Sequence, residues 1–384
     1  MKRIIMLLGI TVLITGLLAG NALAESKYAG DFLNIGVGAK ALGMGGAFVA
    51  VANDATAAYW NPAGMSGLNH KEVNLMYCPA NFETKLADAN GQLGGFNIAQ
   101  LGASYNYVGF VSMVGKSMRV GISAIMLTVD GIMDTRDLAF DDVNTNQIRD
   151  EGERIFYDED KITMGSDAES AYVLSFSQQL SPGMSIGANV KQISQSVFEY
   201  SSTGIGIDVG LMYRFNTGGV GESSGSGLSI GVVARDIGAK LDWSVDTEHA
   251  RTGNTDTSLD SVTDPATDAI ATKIAGGVAY TMQDTASMSI TIAGDVVYTP
   301  YASGASLDLA AGAELVVAKM LALRAGVRQL AGAAPELTTM NFSIGAGLKM
   351  ANSMEVNYAL VGLGLGADND SLGGAHRISM AVRF

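Results

Sequence analysis

From about residue 100 to its end, the chain alternates large apolar side chains with polar or small ones at a period of two. In the segment GIGIDVGLMYRF, residues 204–215, every second position is a large apolar residue, and Asp208 and Arg214 lie on the other face. This alternation is typical of a β-strand with one apolar and one polar face. A segment of about 10 residues is also long enough for a tilted strand to cross a bilayer.

About fourteen such segments follow residue 73, and an even number is expected of a single-chain bacterial membrane barrel. Connections at one end are short, as at 115–117, whereas two connections at the other end are long and polar, at roughly 130–170 and 238–271. Since short turns of such barrels face the periplasm, we expect both termini there. The approximate strand bounds are 74–83, 101–114, 118–129, 171–180, 184–195, 203–215, 227–237, 272–282, 287–298, 306–317, 321–330, 339–350, 353–363 and 375–384.

The final segment, HRISMAVRF, ends on an aromatic residue, Phe384. This ending resembles the insertion signal of bacterial outer-membrane barrels, so we expect Phe384 to act as a membrane-assembly signal. A soluble β-sandwich also alternates, but the number of strands, this ending and an export signal weigh against it. The sequence therefore predicts an all-β protein, a transmembrane antiparallel β-barrel of about 14 strands, surrounded by the lipid of the bacterial outer membrane.

The export signal is predicted at residues 1–24. Lys2 and Arg3 precede an apolar run and then Ala22-Leu23-Ala24, which is the pattern of a cleaved secretory signal peptide. Loss of these two basic residues takes the formal net charge from -14 to -16. A charge this negative argues against nucleic acid as a partner, because the phosphates would be repelled.

Residues 25–72 precede the first predicted strand and are rich in glycine and alanine. Residues 36–41 loosely fit a dinucleotide-binding fingerprint, but they lack the preceding strand and the downstream acidic residue that this site needs. The predicted inward positions of the barrel are mostly small, with scattered charges of both signs, which leaves room in the lumen. We therefore expect residues 25–72 to form a hatch in the lumen and residues 73–384 to form the barrel. Asp54 is expected to cap a short helix over residues 55–58.

Two motifs carry a resemblance to a known family. The run GAKALGMGGAFVAVANDATAAYWNPAGM, residues 38–65, resembles the N-terminal signature of the FadL-type superfamily of outer-membrane proteins, and most closely its PorV/PorQ-like family. The ending LGGAHRISMAVRF is similar to the closing motif of that family. The resemblance implies a fourteen-stranded barrel with an N-terminal hatch, and it assigns hatch positions to Asp54, Trp60, Asn61, Pro62, Ala63 and Gly64.

The resemblance implies two alternative functions. One is FadL-like passage or binding of a hydrophobic small molecule, and the other is a PorV-like role in type IX protein secretion, with an exported protein as the partner. We expect a monomer that is not an enzyme and holds no cofactor. The letters GESSG at residues 221–225 match a hydrolase nucleophile motif, but they lie in a low-complexity turn instead of a strand-to-helix elbow.

An acidic segment within the first long loop, DVNTNQIRDEGE, partly fits a calcium-binding loop. The template needs glycine at its sixth position, where this sequence has Gln147. A solvated acidic loop and a surface calcium site therefore both remain as interpretations, and the missing glycine favours the first. The candidate calcium ligands are Asp142, Asn144, Asn146, Asp150 and Glu153, with the Ile148 carbonyl.

Overall fold

Fourteen antiparallel strands form a closed barrel, which confirms the predicted fold class. None of the described helices is long and apolar enough to cross a membrane. The computed structural model of the chain describes residues 29–87, 93–134, 139–140, 155–156, 163–216, 226–245, 267–285, 287–301, 304–330, 339–350, 353–364 and 375–384.

Seventeen strands are present within these ranges, and all but three belong to the barrel wall. In chain order they are β1 (Glu72–Ala87), β2 (Leu93–Val114), β3 (Met118–Asp134), β4 (Ala139–Phe140), β5 (Ile155–Phe156), β6 (Thr163–Ser181), β7 (Met184–Val197), β8 (Tyr200–Asn216), β9 (Gly227–Val245), β10 (Thr267–Ala269), β11 (Lys273–Thr285), β12 (Met288–Tyr301), β13 (Gly304–Val317), β14 (Leu321–Leu330), β15 (Thr339–Met350), β16 (Met354–Gly364) and β17 (Ala375–Arg383). Strands β4 and β5 pair with each other, and β10 pairs with β9.

Each wall strand pairs with its neighbours along the chain, and the barrel closes where β17 pairs with β1. At this seam Leu75 lies opposite Met380. We call the end of the barrel that carries residues 115–117 the turn end, and the opposite end the loop end. Strand β1 begins and strand β17 ends at the turn end.

Three wall strands extend eight residues further towards the loop end than the sequence predicts. Strands β2 and β6 begin at Leu93 and Thr163, and β9 continues to Val245. The predicted bounds followed the alternating apolar pattern, which ends where the outer face becomes polar. Backbone pairing continues past that point between polar residues, as where the hydroxyls of Ser201 and Ser244 lie 3.0 Å apart.

The two faces of the wall differ as the alternation predicts. Large apolar side chains point outwards, and Ile122, Leu174 and Ile205 are each at least 60% exposed. The inward positions between them carry small or polar residues, of which Asp208 and Asn189 are almost completely buried. An apolar outer face on a closed barrel is the arrangement that hydrocarbon requires, because a closed sheet has no open edge of unpaired backbone groups.

Residues 29–71, which we call the inner segment, lie inside the barrel. Helix α1 (Ala39–Gly43) contacts β14 to β17, whereas a 3-10 helix at Pro62–Gly67 contacts β6 to β8 on another part of the wall. A segment that contacts distant parts of a closed wall must cross its lumen. The inner segment also contains a 3-10 helix at Asp31–Asn34 and helix α2 (Ala57–Trp60).

Deletion of Phe384 is expected to lower the yield of assembled barrel. Phe384 and Lys71 exchange two backbone hydrogen bonds of 3.0 Å, and the Phe384 ring stacks on Phe110 with ring centroids 6.3 Å apart. These contacts extend the seam between β17 and β1 by one residue. The fraction of folded protein can be measured by heat-modifiable mobility on gels, with Phe384→Tyr as the control that keeps the ring. An unchanged folded fraction after the deletion would contradict this role.

Candidate functional site

Asn61 joins two stretches of the inner segment to the wall. Its Nδ2 donates to the carbonyl oxygen of Val49 at 3.1 Å and to that of Leu211 on β8 at 3.3 Å. Its Oδ1 accepts from the backbone N–H of Ala63 at 3.1 Å, which caps the 3-10 helix that follows. One buried amide side chain therefore satisfies three backbone groups.

Two wall residues beside Asn61 and Pro62 are glycines, Gly187 and Gly210. A Cβ atom at Gly210 would lie 2.2 Å from Asn61 Oδ1, and one at Gly187 would lie 2.3 Å from the backbone nitrogen of Ala63. Both distances are far below van der Waals contact. The backbone of the inner segment therefore packs directly on the backbone of β7 and β8, which any larger residue at these two wall positions would prevent.

The other motif residues pack in the same region. Trp60 Nε1 donates to the Val37 carbonyl oxygen at 3.0 Å, and its ring meets Phe48 edge to face. The Ala63 carbonyl oxygen accepts hydrogen bonds from two serine hydroxyls of the wall, those of Ser177 and Ser185. A Cβ atom at Gly64 would lie 2.3 Å from the Ala52 carbonyl oxygen. The structure thus brings the five motif positions from Trp60 to Gly64 together as packing and hydrogen-bonding residues.

The prediction that Asp54 caps a helix over residues 55–58 is wrong. Helix α2 begins at Ala57, two residues later than expected, and its N-cap residue, Thr56, makes no side-chain cap. Asp54 Oδ1 instead accepts from the backbone N–H of Thr56 at 2.9 Å and from its hydroxyl. An aspartate that bonds the backbone two residues ahead forms a turn of its own, which delays the start of the helix.

Two wall carboxylates hold the backbone of the inner segment. Asp295 on β12 accepts from the N–H groups of Phe48 at 2.7 Å and Val49 at 2.8 Å. Glu72, at the start of β1, accepts from the N–H of Ala55 at 2.7 Å. Both carboxylates are buried. The alternation could place Asp295 on the inward face, but no sequence signal indicated which backbone groups these carboxylates bind.

A chain of ion pairs near the turn end joins side chains from five wall strands, β13, β14, β16, β17 and β1. Arg324 binds Glu314 at 2.6 Å and Glu355 at 3.3 Å. Arg383 continues the chain by binding Glu355 at 2.8 Å and Glu72 at 2.9 Å. Each arginine bridges two carboxylates and Glu355 is shared, so every charge in the chain has an opposite partner, as burial of ionised groups requires, with one negative charge in excess.

Lys40 of helix α1 lies beside this chain. Its Nζ donates to Asn53 Oδ1 at 2.7 Å. Burial by itself would lower the pKa of the Lys40 ammonium, but the carboxylates of Glu314, Glu355 and Asp54 outweigh desolvation, and the pKa is raised. Burial raises the pKa of Asp54 above its ordinary value, and the nearby Lys40 opposes that shift. The inner segment therefore carries one stabilised cation and one carboxyl group whose ionisation is unfavourable.

A second ion cluster lies on β7 to β11. Lys191 binds Asp208 at 2.7 Å and also contacts Asp236, whose other oxygen lies 3.4 Å from Lys273. Asp208 also accepts from the backbone N–H of Asp236 at 2.9 Å. Two lysines and two aspartates are thus paired, and both carboxylate oxygens of Asp236 are occupied.

Strand β9 is distorted at this cluster. The pairing of β8 with β9 shifts register twice, on either side of the pair formed by Ile207 and Ile237. Asp236 and Gly238 adopt φ angles of 59° and 65°, in the left-handed region. Such a bulge changes the inward and outward alternation locally. Its consequence is that the neighbours Arg235 and Asp236 both face the lumen, where they line the same cavity.

A cavity of about 310 Å³ opens at the turn end, between the inner segment and strands β8, β9, β11 and β12. We call it the turn-end cavity. Its lining combines apolar side chains with hydroxyl groups and one arginine. The residues that define it are Ala50, Val51, Arg214, Phe215, Leu228 and Ala279.

A smaller cavity, which we call the loop-end cavity, lies on the other side of the inner segment. Its volume is about 20 Å³, which is room for about one water molecule. One side of its lining is apolar and the other belongs to the second ion cluster. The residues that define it are Leu33, Tyr59, Ile125, Val173, Arg235 and Asp236.

An apolar layer separates the two cavities. Val49, Val233 and Ala275 form a buried cluster of their own. Along β9, Val233 lies between the residues that line the turn-end cavity and Arg235, which lines the loop-end cavity. One valine of the inner segment, held in place through Asp295, therefore completes the layer.

The candidate calcium ligands Asp142, Asn144, Asn146, Asp150 and Glu153 lie outside the described residues, as does the predicted signal at 1–24. In the part of the chain that the structure describes, no three His, Cys, Asp or Glu side chains are grouped as a metal site. The calcium loop therefore remains a prediction.

Gly210→Ala is expected to destabilise the barrel by about 1 to 3 kcal/mol, the usual cost of overpacking. The added Cβ would push Asn61 away from its backbone partners. A matched control is Gly294→Ala on β12, where a Cβ would meet its nearest neighbour at 3.8 Å. Thermal unfolding in detergent measures both. Equal melting temperatures for the two variants would show that the close approach at Gly210 is not needed.

Asp54→Asn is expected to stabilise the protein relative to wild type more at pH 8 than at pH 4. Since the folded-state pKa of Asp54 is raised, ionisation costs stability, and that cost is absent below the unfolded-state pKa of about 4 and grows as the pH rises through the folded-state value. The amide keeps an oxygen that accepts from Thr56. Melting temperatures of both proteins at the two pH values test this, and a smaller difference at pH 8 would contradict it.

Comparisons with known proteins bear on the fold. No protein-family model and no curated protein matches the sequence. The solved structure of the CymD monoaromatic hydrocarbon channel is similar at a TM-score of 0.50, with 14% identity, over 91% of this chain and 98% of that chain. The toluene transporter TodX of P. putida is similar at a TM-score of 0.51, with 12% identity, over 91% of this chain and 99% of that chain. The toluene transporter TbuX of Ralstonia pickettii is similar at a TM-score of 0.53, with 13% identity, over 91% of this chain and 98% of that chain.

At these identities the likeness concerns the fold. The comparisons give no support to the narrower PorV/PorQ-like grouping or to a role in protein secretion. The chain has the fold of these three barrels.

Proposed function

We propose that this protein passes hydrophobic small molecules through a bacterial outer membrane, with its loop end outside and its turn end in the periplasm. The similar barrels are described as a monoaromatic hydrocarbon channel and toluene transporters, which supports this class of ligand. The apolar outer face supports a lipid environment. In this proposal the protein binds and releases its ligand without converting it.

The turn-end cavity is the observation that carries the proposal. Its volume of about 310 Å³ reaches the range of small-molecule pockets, which begins at about 300 Å³. It lies between the inner segment and the wall, where Val51, Leu228 and Ala279 supply apolar surface. A hydrophobic molecule of one aromatic ring fits this size and this lining.

The proposed route follows β9 from the loop end to the turn end. A ligand enters the lumen from outside, reaches the loop-end cavity, crosses the apolar layer at Val49 and Val233, and arrives in the turn-end cavity. Because the loop-end cavity holds about one water molecule, Leu33 and Tyr59 must shift to admit the ligand. The apolar layer favours a hydrophobic molecule over a hydrated solute, since an apolar constriction gives water no hydrogen-bond partners.

The inner segment acts in this proposal as a hatch that is fixed on two sides. The W-N-P-A-G motif at residues 60–64 packs on β6 to β8, and α1 packs on β14 to β17. Both cavities are lined by β8, β9 and β11, and the loop-end cavity extends to β3, β6 and β7. The β9 distortion lies between β8 and β9, where the pair of Ile207 and Ile237 still joins the two strands. The proposed route runs along the inner face of this wall instead of through it.

Ala279→Phe is expected to reduce uptake of a hydrophobic molecule several-fold. Ala279 lines the turn-end cavity and is almost fully buried, so a phenyl ring there fills the space that the ligand would occupy. Uptake of labelled toluene can be measured in cells that express the barrel against cells that do not. Uptake of a small sugar serves as the test for nonspecific leakage.

The matched control is Ala313→Phe, which adds the same ring on the exposed outer face of β13. Toluene uptake should remain near the wild-type rate in this variant. Equal uptake with and without the wild-type barrel would overturn the proposed function. If the wild-type barrel takes up toluene and the Ala279→Phe variant does so at the same rate, the route does not use the turn-end cavity.

A further inference from the structure

Two exposed lysines at the turn end have no partner among the described carboxylates. Lys71 immediately precedes β1, and Lys116 lies in the turn that joins the adjacent strands β2 and β3. No carboxylate in the described part of the chain lies within 4 Å of either ammonium group. Glu72, which follows Lys71 in the chain, is buried and binds Arg383. Although the chain carries a formal net charge of -14, this part of its surface therefore attracts anions.

An apolar groove of about 500 Å³ lies on the outer face of β2, β3, β6 and β7, and we call it the outer groove. It forms where the small side chain of Ala124 lies in one row across the wall between Val108 on β2 and Tyr172 on β6. The next row towards the turn end carries the exposed side chains of Ile122 and Leu174. These larger neighbours leave Ala124 only 9% exposed. A hydrocarbon chain in such a depression makes van der Waals contacts on its floor and both sides, which a flat face does not offer.

The outer groove is joined to the two lysines along the outer face. Phe110 lines the groove, and its ring stacks on that of Phe384 with the ring centroids 6.3 Å apart. Phe384 in turn exchanges two backbone hydrogen bonds of 3.0 Å with Lys71. On β3, Ile122 lines the groove six positions after Lys116. The cations and the groove therefore belong to one continuous surface.

The spacing between the lysines and the groove matches one leaflet of a bilayer. Six residues of a strand span about 20 Å, and a strand tilt of about 45° reduces this length to a depth of about 14 Å. One leaflet supplies about half of a hydrocarbon core that is about 30 Å thick. A lipid whose headgroup lies at Lys116 therefore places an acyl chain in the outer groove.

We propose that the outer groove and the two lysines form a binding site for an anionic phospholipid of the leaflet at the turn end. Lys71 and Lys116 bind the charged headgroup, and one acyl chain lies over Ala124. A free phosphate would leave the groove unused, and a zwitterionic phospholipid would bring a cation of its own beside the lysines. The site goes beyond the proposed function, because it lies on the outer face of the wall and takes part in no transport step.

The test measures lipid binding by native mass spectrometry of the full-length barrel in a mild detergent. Phosphatidylglycerol and phosphatidylcholine with identical acyl chains are titrated separately, and the dissociation constants of the first bound lipid are compared. The wild type is expected to bind phosphatidylglycerol about 25-fold more tightly, since each lysine near an anionic headgroup contributes about fivefold. The double variant Lys71→Gln/Lys116→Gln should bring the ratio of the two constants close to one. The matched control Lys240→Gln/Lys319→Gln removes the same charge at exposed positions away from the groove and should keep the wild-type ratio.

Ala124→Leu tests the groove itself. The added atoms fill the floor of the groove, so both lipids are expected to bind several-fold more weakly while the ratio of their constants is unchanged. Ala313→Leu adds the same atoms to the exposed outer face of β13 and should change neither constant.

Equal binding of the two lipids by the wild type, or an unchanged ratio in the Lys71→Gln/Lys116→Gln variant, would overturn the proposal. Glycerol phosphate, which has the headgroup charge without acyl chains, separates a lipid from a soluble anion. If it displaces phosphatidylglycerol at equal concentration, and Ala124→Leu binds both lipids as the wild type does, the lysines hold a free phosphate and the lipid site is wrong. Gel mobility checks that each variant folds, and toluene uptake reports separately on the proposed function.

Discussion

The structure depends on how the wall satisfies the backbone of the inner segment. This segment crosses a closed lumen with two short α-helices and two 3-10 helices, so many of its backbone groups have no partner within the segment itself. A buried backbone group without a partner costs about 1 to 3 kcal/mol. Asp295 and Glu72 accept from its N–H groups, and Ser185 and Asn189 donate to its carbonyl oxygens. The inner segment is thus folded against polar side chains of the wall as well as against itself.

The alternation of the wall strands makes this arrangement available. Outward positions are committed to large apolar residues, and inward positions are free to carry glycine where the inner segment approaches closely and serine, asparagine or aspartate where it needs a hydrogen bond. Gly187 and Gly210 supply the close approach for the W-N-P-A-G motif, and Ser177 and Ser185 supply donors beside it. A motif of the inner segment and a set of small wall residues more than a hundred positions away therefore form one site.

The fold was predictable because its signal is local. Each alternating segment can be recognised without knowledge of its neighbours, and all fourteen predicted segments correspond to wall strands. The errors in their bounds lie at the loop end, where strand pairing continues beyond the apolar pattern. The site was less predictable because its contacts are distant in the chain. The inward face of Asp295 could be inferred from alternation, but its bonds to Phe48 and Val49 depend on the path of the inner segment. The cavities depend on the same path, and no pattern in the sequence reports them.

The bulge in β9 shows how a departure from alternation produces chemistry that a regular strand cannot. In a regular strand, Arg235 and Asp236 would face opposite sides, and one charge would point to lipid. Arg235 follows the inward positions Gly231 and Val233, and the left-handed φ of Asp236 turns Asp236 inwards as well. A non-glycine residue in this conformation costs of order 1 kcal/mol or more, and the ion pairs of Asp236 with two lysines offset that cost. The bulge therefore adds to the lumen a carboxylate, Asp236, that joins two lysines from β7 and β11 beside Arg235.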